Sequence, residues 1–329
     1  MTKVPVLVTG GAGYIGSHAV LALKDAGWPV AVIDDLSNGS RQVVPDNVPF
    51  YEGNVADRSL VERIFEEERI EAIMHFAGSI VVPESVEQPL KYYANNTLAS
   101  HALISAAVAA GVKHILFSST AATYGAPERV PIDEDDPKVP INPYGASKLM
   151  TERMLEDASA AHPFNYGALR YFNVAGADPE GRTGQLGKGS THLIKVACEA
   201  AVGKRDRIAV YGTDYPTADG TCIRDYIHVS DLAAAHVAAL EWLVAHPDEN
   251  LVMNCGYGEG LSVLEVLDAV DRASGTPVKR VIEGRRAGDP PELVAGNARL
   301  LETLDWRPAY ADIDRIVGDA LAWERTLLD

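Results

Sequence analysis

The chain has 329 residues, 47% of them apolar and 23% charged, with 29 Lys plus Arg against 46 Asp plus Glu and a formal net charge of −17. That balance belongs to a folded globular protein with one large domain or two unequal ones, and it excludes wholesale disorder and collagen-like or disulfide-stapled scaffolds. So acidic a chain, without a long basic run, repels nucleic acid and anionic membrane, although a few arginines in one cleft still suffice to bind an anion.

Residues 4–9 form a short apolar run ending in glycines, the pattern of a buried parallel strand. Residues 14–26 place Ile15, Ala19, Leu23 and Ala26 on one helical face. A second strand, 30–33, ends in Asp34 and Asp35. Residues 71–76 and 114–118 read as two more strands ending in small or polar residues. Ala-rich segments at 100–110 and 146–161 flank the latter. Strand and helix alternating at this pitch predict an α/β fold, a doubly wound parallel sheet of Rossmann type.

After residue 173 the texture changes. Residues 176–189 are rich in glycine and polar side chains and read as a loop. The spacing predicts a dinucleotide-binding domain over 1–173 and a second, smaller α/β lobe over 174–329, with some later segments returning to the first domain. The acidic stretch 133–137 reads as a solvated loop and not a metal site. Cys198, Cys222 and Cys255 are odd in number and widely spaced, which suits small core residues in a reducing compartment. The N-terminus enters a strand without a signal-peptide pattern, and no window approaches 18 uninterrupted apolar residues, so the expectation is a cytoplasmic protein.

The first strand ends in Thr9-Gly10-Gly11-Ala12-Gly13-Tyr14-Ile15-Gly16. Glycines at 10, 13 and 16 fit G-x-x-G-x-x-G, with a strand before and a helix after, as a dinucleotide site requires. A pyrophosphate needs backbone N–H groups within reach and no side chain in the way, and the helix N-terminus faces it with partial positive charge. Asp34, at the end of the second strand, can accept from both ribose hydroxyls and would repel a 2′-phosphate. This favours NAD over NADP; a turn-capping role is the alternative. Asn38 is a plausible neighbour.

Tyr144 and Lys148 form Y-x-x-x-K on one face of a helix that begins at Pro143. A free tyrosine titrates near 10, and a nearby ammonium together with a cationic nicotinamide would lower that toward neutrality. Thr120, at the carboxyl end of strand 114–118, is placed to bond the substrate oxygen that Tyr144 titrates. Ser118 and Ser119 have strand-end hydrogen bonding as their simpler role. Y-x-x-x-K alone also describes an exposed pair.

The segments VTGGAGYIGSH (8–18), HFAG (75–78), YYANN (92–96), FSSTAATYG (117–125), NPYGASK (142–148) and LRYFNVAGA (169–177) add to this. So do YGTDYPTADGTCIRDYIHVSDLA (211–233) and RRAGDPPELVA (285–295). Together they resemble the extended short-chain dehydrogenase/reductase family, in its UDP-glucose 4-epimerase branch, over nearly the whole chain.

The resemblance implies a tightly held NAD and interconversion of UDP-galactose and UDP-glucose. The sugar is oxidised at C4, the 4-keto sugar turns over in its pocket, and it is reduced on its other face. Tyr144 would act as base and acid, Lys148 would tune it, and Thr120 would aid proton movement. The cofactor would lie against Gly10, Gly13, Tyr14, Ile15, Gly16, Asp34, Asn38, Asn54, Val55, Phe76, Ala77, Gly78, Asn95, Ser118, Tyr144, Lys148 and Tyr171. The UDP-sugar would lie against Thr120, Tyr144, Asn173, His192, Leu193, Tyr211, Arg224, Arg286, Asp289 and Leu293. Arg224 and Arg286 suit a diphosphate, although each has a carboxylate neighbour and an ion pair is the competing role. The family also implies a homodimer, and the acidity of the chain leads to the expectation of no nucleic-acid or membrane partner.

Thr120 stands where serine is usual, and Ile80 where some members carry a cofactor-contacting lysine. Asn54 replaces an aspartate, His192 a frequent asparagine, and Leu293 a tyrosine that closes the hexose pocket in some members. Nucleotide-sugar dehydratases share the fold but need an acid/base carboxylate pair just after the strand-end hydroxyl. Those positions are Ala121 and Ala122 here. A 4-epimerase of another UDP-sugar (an N-acetylhexosamine, pentose or glucuronate) and a catalytically silent NAD sensor remain as alternatives.

Overall fold

The computed structural model describes residues 3–186, 190–286 and 289–328. Part of the predicted loop (187–189) and part of the RRAGDPPELVA block (287–288) lie outside them.

The first half alternates as its pattern predicts. β1 (Val6–Thr9), α1 (Tyr14–Asp25), β2 (Val30–Asp34), β3 (Phe50–Glu52), α2 (Arg58–Glu67) and β4 (Ala72–His75) come first. Two short helices, α3 (Val82–Glu87) and α4 (Pro89–Tyr92), lead through a π-helical turn at Tyr93–Leu98 into α5 (Ala99–Ala110). β5 (His114–Ser118), α6 (Pro143–Ala161) and β6 (Asn165–Tyr171) complete this half. α6 opens with Pro143 in its first turn and the Asn142 side chain accepting from Gly145 N–H, two start signals that fix where the Y-x-x-x-K helix begins.

The second half contains β7 (Asn173–Ala175), α7 (Leu193–Ala201), β8 (Ile208–Tyr211), β9 (Ile223–Arg224), β10 (Tyr226–His228), α8 (Val229–Ala245) and β11 (Leu251–Cys255). It ends with β12 (Leu261–Ser262), α9 (Val263–Ser274), β13 (Arg280–Glu283), β14 (Glu292–Leu293), α10 (Ala298–Thr303) and α11 (Ile313–Thr326).

Seven strands form one parallel sheet in the order β11-β6-β5-β4-β1-β2-β3. Both faces are covered, which explains the near-continuous apolar strands. Val6, Val8, Val32 and Met74 face α1 and α8, whereas Leu7, Ile33, Ile73 and Phe117 face α2, α5 and α6. Strand order reverses between β1 and β4, and a ligand crevice opens at the carboxyl ends of strands at such a point. The edge strand β11 comes from residues far down the chain.

A separate apolar core gathers α7, α9 and α11 with β8 and β10, around Ile194, Val210, Leu267 and Val317. Short strand pairs surround it: β7 with β10, β8 with β13, and β9 between β12 and β14. This is the smaller lobe.

The acidic stretch is not simply solvated. Glu134 is buried and accepts from Asn254 N–H at 2.8 Å, and its own carbonyl takes Arg170 Nη1 at 3.1 Å. Asp136 receives Arg129 at 2.7 Å. The chain here is a strap across the sheet's end, held by partners distant in sequence.

Candidate active site

β1 delivers the chain into the glycine turn beside β4. Gly10 has φ +69°, and a Cβ there would lie 2.7 Å from Ala77 N. A Cβ on Gly16 would lie 2.1 Å from Gly10 O. The turn therefore closes only with glycine at both positions. Gly13 starts α1 with extended backbone and no side-chain cap, and no acidic residue occupies the first turn. The leading N–H groups of α1 are thus available to an anion.

One cleft runs from this turn across the ends of β2, β4 and β5. Gly10, Gly13, Tyr14, Ile15 and Gly16 border it at the turn. Asp34, Asn38, Asn54 and Val55 border its outer end, and Phe76, Ala77, Gly78, Asn95, Ser118 and Tyr171 its inner end. The Asp34 carboxylate accepts from Ala12 N–H at 2.9 Å and Leu36 N–H at 2.8 Å. A carboxylate offers about four lone-pair positions, so acceptor capacity remains for ribose hydroxyls. Asn54 is more engaged than its sequence context suggests. Its Oδ1 accepts from Ala56 N–H at 2.9 Å, and its Nδ2 donates to Asp35 at 3.1 Å.

Of the residues assigned to the cofactor, Tyr144 and Lys148 do not border this cleft. Tyr144 borders a second, adjoining cavity with Thr120, Asn173, His192 and Leu193. Ile15, Ile80, Tyr171, Gln185 and His192 border both. Thr120 lies two residues beyond β5, and α6 brings Tyr144 against it. Lys148, one turn further, is buried and donates from Nζ to Ser118 O at 2.9 Å.

The electrostatics differ from the simple expectation. Burial raises the Tyr144 phenol above its ordinary value, and the Thr120 hydroxyl pulls the other way. Burial also lowers Lys148, to about 8, against the pull of Glu152. In the chain alone, burial is the larger influence on Tyr144, so phenolate formation needs added positive charge. A cationic nicotinamide is such a charge.

The remaining assigned residues lie outside this second cavity. Arg224 pairs with Asp289 at 2.5 Å. The sequence neighbour Asp225 is instead buried and accepts from Tyr257, Gly258 and Ala295 N–H. Arg286 is exposed, with its guanidinium 3.8 Å above the Tyr211 ring. Leu293 packs against Ala121, Tyr124, Ile132 and Phe172. These five residues form a strip along β8, β9 and β14.

The signature of the NAD dependent epimerase/dehydratase family spans residues 6–256. The chain belongs to that family. A UDP-glucose 4-epimerase of Azospirillum brasilense is 59% identical over 98% of this chain and 92% of its own length. Among solved structures, UDP-glucose 4-epimerase from Brucella ovis in complex with NAD superposes with a TM-score of 0.94, at 44% identity and 98% coverage of both chains. The Bifidobacterium longum enzyme in complex with NAD+ and UDP gives 0.92, at 40% identity and 98% coverage of both. The doubly wound fold expected from the strand pattern is the fold of this epimerase/dehydratase family.

Sequence reasoning did not single out Gln185, Val82, Phe172, Lys195, Trp323 or Glu324, which border the second cavity. Only Phe172 lies in a quoted motif, LRYFNVAGA, and no motif marks the others. They arrive there from a loop, from α3, α7 and α11, and from the end of β6, and only packing brings them together.

Proposed function

We propose that this chain is a UDP-glucose 4-epimerase with resident NAD, interconverting UDP-glucose and UDP-galactose through a 4-keto intermediate. The observation that carries the reading is the junction of the two clefts. Tyr144, the candidate acid/base, and Thr120, its hydroxyl neighbour, border a cavity that meets the glycine-turn cleft at Ile15, Ile80 and Tyr171.

The turn suits a pyrophosphate, since Gly10 and Gly16 let it close tightly, Gly10, Gly13 and Gly16 border the cleft, and α1 begins without a side-chain cap. Asp34 and Asn38 would hold the adenosine ribose, Asn54 and Val55 the adenine, and Phe76, Ala77, Gly78 and Asn95 the inner half. Ser118, Lys148 and Tyr171 would hold the nicotinamide end. Bound NAD supplies a hydride acceptor that becomes the hydride donor without leaving.

Tyr144 Oη takes the proton from the sugar 4-hydroxyl and later returns it. Thr120 Oγ1 bonds the same sugar oxygen and keeps it in reach. Lys148 holds positive charge behind the phenol. Asn173, His192 and Leu193 would wall the sugar nucleotide. Arg224, Arg286, Tyr211 and Asp289 are our candidates for its uridine diphosphate end, Arg224 with part of its guanidinium already matched by Asp289, and Leu293 is our candidate for the hexose side. Methyl groups at Ala121 and Ala122 cannot shuttle protons, which disfavours a dehydratase.

A homodimer accords with an exposed apolar face on α4, the π-helical turn and α6. A reducing, cytoplasmic setting suits three buried thiols that stay unpaired.

The test is purified protein given UDP-galactose with no added coenzyme, with UDP-glucose followed by coupled oxidation. Conversion that disappears in Tyr144→Phe supports the reading. Absence of conversion in folded, NAD-loaded protein overturns the hexose assignment.

A further inference from the structure

Gln185 borders both clefts, and its backbone is gripped from two helices. Its carbonyl accepts from Lys195 Nζ, in the first turn of α7, at 3.0 Å. It also accepts from Trp323 Nε1, near the end of α11, at 3.3 Å. Lys195 is itself buried and paired with Glu324. Glu324, 1% exposed, also receives Lys204 Nζ at 3.2 Å. A Cβ on Gly184 would fall 2.5 Å from the Trp323 ring, so the loop sits flush against α11. On the other side, Thr183 Oγ1 meets Ser17 Oγ at 2.9 Å and Tyr14 donates to Gly176 O at 2.7 Å. The loop is thus fastened both to the glycine-turn helix and to the last helix of the chain.

The side chain of Gln185 is also placed. Nε2 donates to Ser190 Oγ at 3.1 Å and to His192 Nδ1 at 3.0 Å. An amide donor on Nδ1 makes that nitrogen the acceptor and leaves the imidazole proton on Nε2. The carboxamide of Gln185 and the Nε2–H of His192 together give a neutral acceptor and a neutral donor where the clefts meet. Lys195 borders the same cavity, but Glu324 balances its charge. Such a pairing recognises hydroxyls and amides of a nucleoside and not a phosphate.

We propose that Gln185 is a binding residue shared by cofactor and sugar nucleotide, and that Lys195, Trp323 and Glu324 are positioning residues that set it there. The proposal rests on the epimerase reading above.

The experiment uses the holoenzyme, with UDP titrated calorimetrically, UDP-galactose turnover followed, and NAD retention measured after gel filtration. One lost hydrogen bond corresponds to about a fivefold change in binding. Gln185→Leu is expected to raise the UDP dissociation constant and KM about fivefold, with a smaller change in kcat and faster loss of NAD. Gln185→Glu keeps the size but cannot donate to Nδ1, and gives the same KM rise should the leucine variant fold poorly. Trp323→Phe and Glu324→Gln move KM in the same direction, and Glu324→Asp restores it.

Unchanged KM and NAD retention in both Gln185 variants overturns the proposal. Lower melting temperature with unchanged KM in Trp323→Phe and Glu324→Gln overturns their positioning role. Wild-type protein that holds neither NAD nor UDP sinks the epimerase reading itself; wild type that holds both confines any failure to Gln185.

Discussion

The Lys148 ammonium donates to the Ser118 carbonyl at 2.9 Å, which anchors the Y-x-x-x-K helix to the end of the fifth strand. Its charge lies in a buried site, 4.8 Å from the centre of the Phe117 ring. Burial moves its pKa from 10.5 to about 8. The folded, ligand-free chain therefore binds fewer protons than the unfolded chain between these values. Stability contributed by this group rises with pH through that window and is lost as pH falls through about 8. Lys148→Met is expected to stabilise the ligand-free protein at pH 7, to flatten the rise between pH 8 and 10, and to remove activity. Urea unfolding at several pH values checks it. An unchanged slope counts against Lys148 as the source.

Glu152, one turn beyond Lys148, grips Arg170 through two nitrogens, with Nη2 to Oε2 at 2.6 Å and Nε to Oε1 at 3.0 Å. Both side chains are under 10% exposed (5% and 7%). Ser119 donates to the same carboxylate, and Arg170 Nη1 donates to Tyr124 at 2.9 Å. Removing one partner leaves a buried charge unmatched. Glu152→Ala should cost about 3–5 kcal/mol, and the double variant Glu152→Met, Arg170→Met much less. Denaturant midpoints decide it, and equal costs for the single and double variants would argue against the pair as the cause.

Asp34 has a backbone N–H on each oxygen and burial raises its pKa, yet it borders the outer end of the glycine-turn cleft. NAD should be retained by the wild type and NADP should not. Asp34→Asn is expected to weaken NAD by about tenfold, through loss of charge-assisted bonds. It should also narrow the discrimination against NADP. Competition between the two dinucleotides measures both. Tight NADP binding by the wild type would contradict the assignment.

Leu90, Leu98 and Met150 are 79%, 65% and 46% exposed, and Met150 Sδ lies 3.9 Å from the hydroxyl of Thr97 beside Leu98. An apolar face of this kind on adjoining helices suits a second copy of the chain. Sedimentation should report a dimer. Leu98→Glu combined with Met150→Glu should give a monomer that keeps its NAD. A dimer unaffected by both charges would place the interface elsewhere.

Local patterns carried much of this architecture. The first strand, the glycine turn and its helix lie within twenty residues, and the steric limit at Gly16, set by Gly10 O, acts over that same span, whereas the one at Gly10 is set by Ala77 from the end of β4. Tyr144 and Lys148 share a face because helical pitch puts residues four apart together. Other features escaped the sequence because their partners are remote. Glu134 reads as one more acid in an acidic run, and it is buried only because Asn254 and Arg170 reach it. Arg224 has Asp225 beside it, yet its ion pair is with Asp289, since the Asp225 carboxylate is buried against the backbone N–H groups of Tyr257, Gly258 and Ala295.

The sequence by itself determined the doubly wound sheet, the cofactor turn and the Tyr/Lys pair, because each depends on backbone geometry and periodicity over a short stretch. Only the tertiary structure decided which arginine is neutralised, that Leu293 packs on the Phe172 cluster without bordering the cavity beside Tyr144, and that the last helix reaches the junction through Gln185. Those outcomes depend on which surfaces are buried against one another, and burial is settled by the whole chain at once.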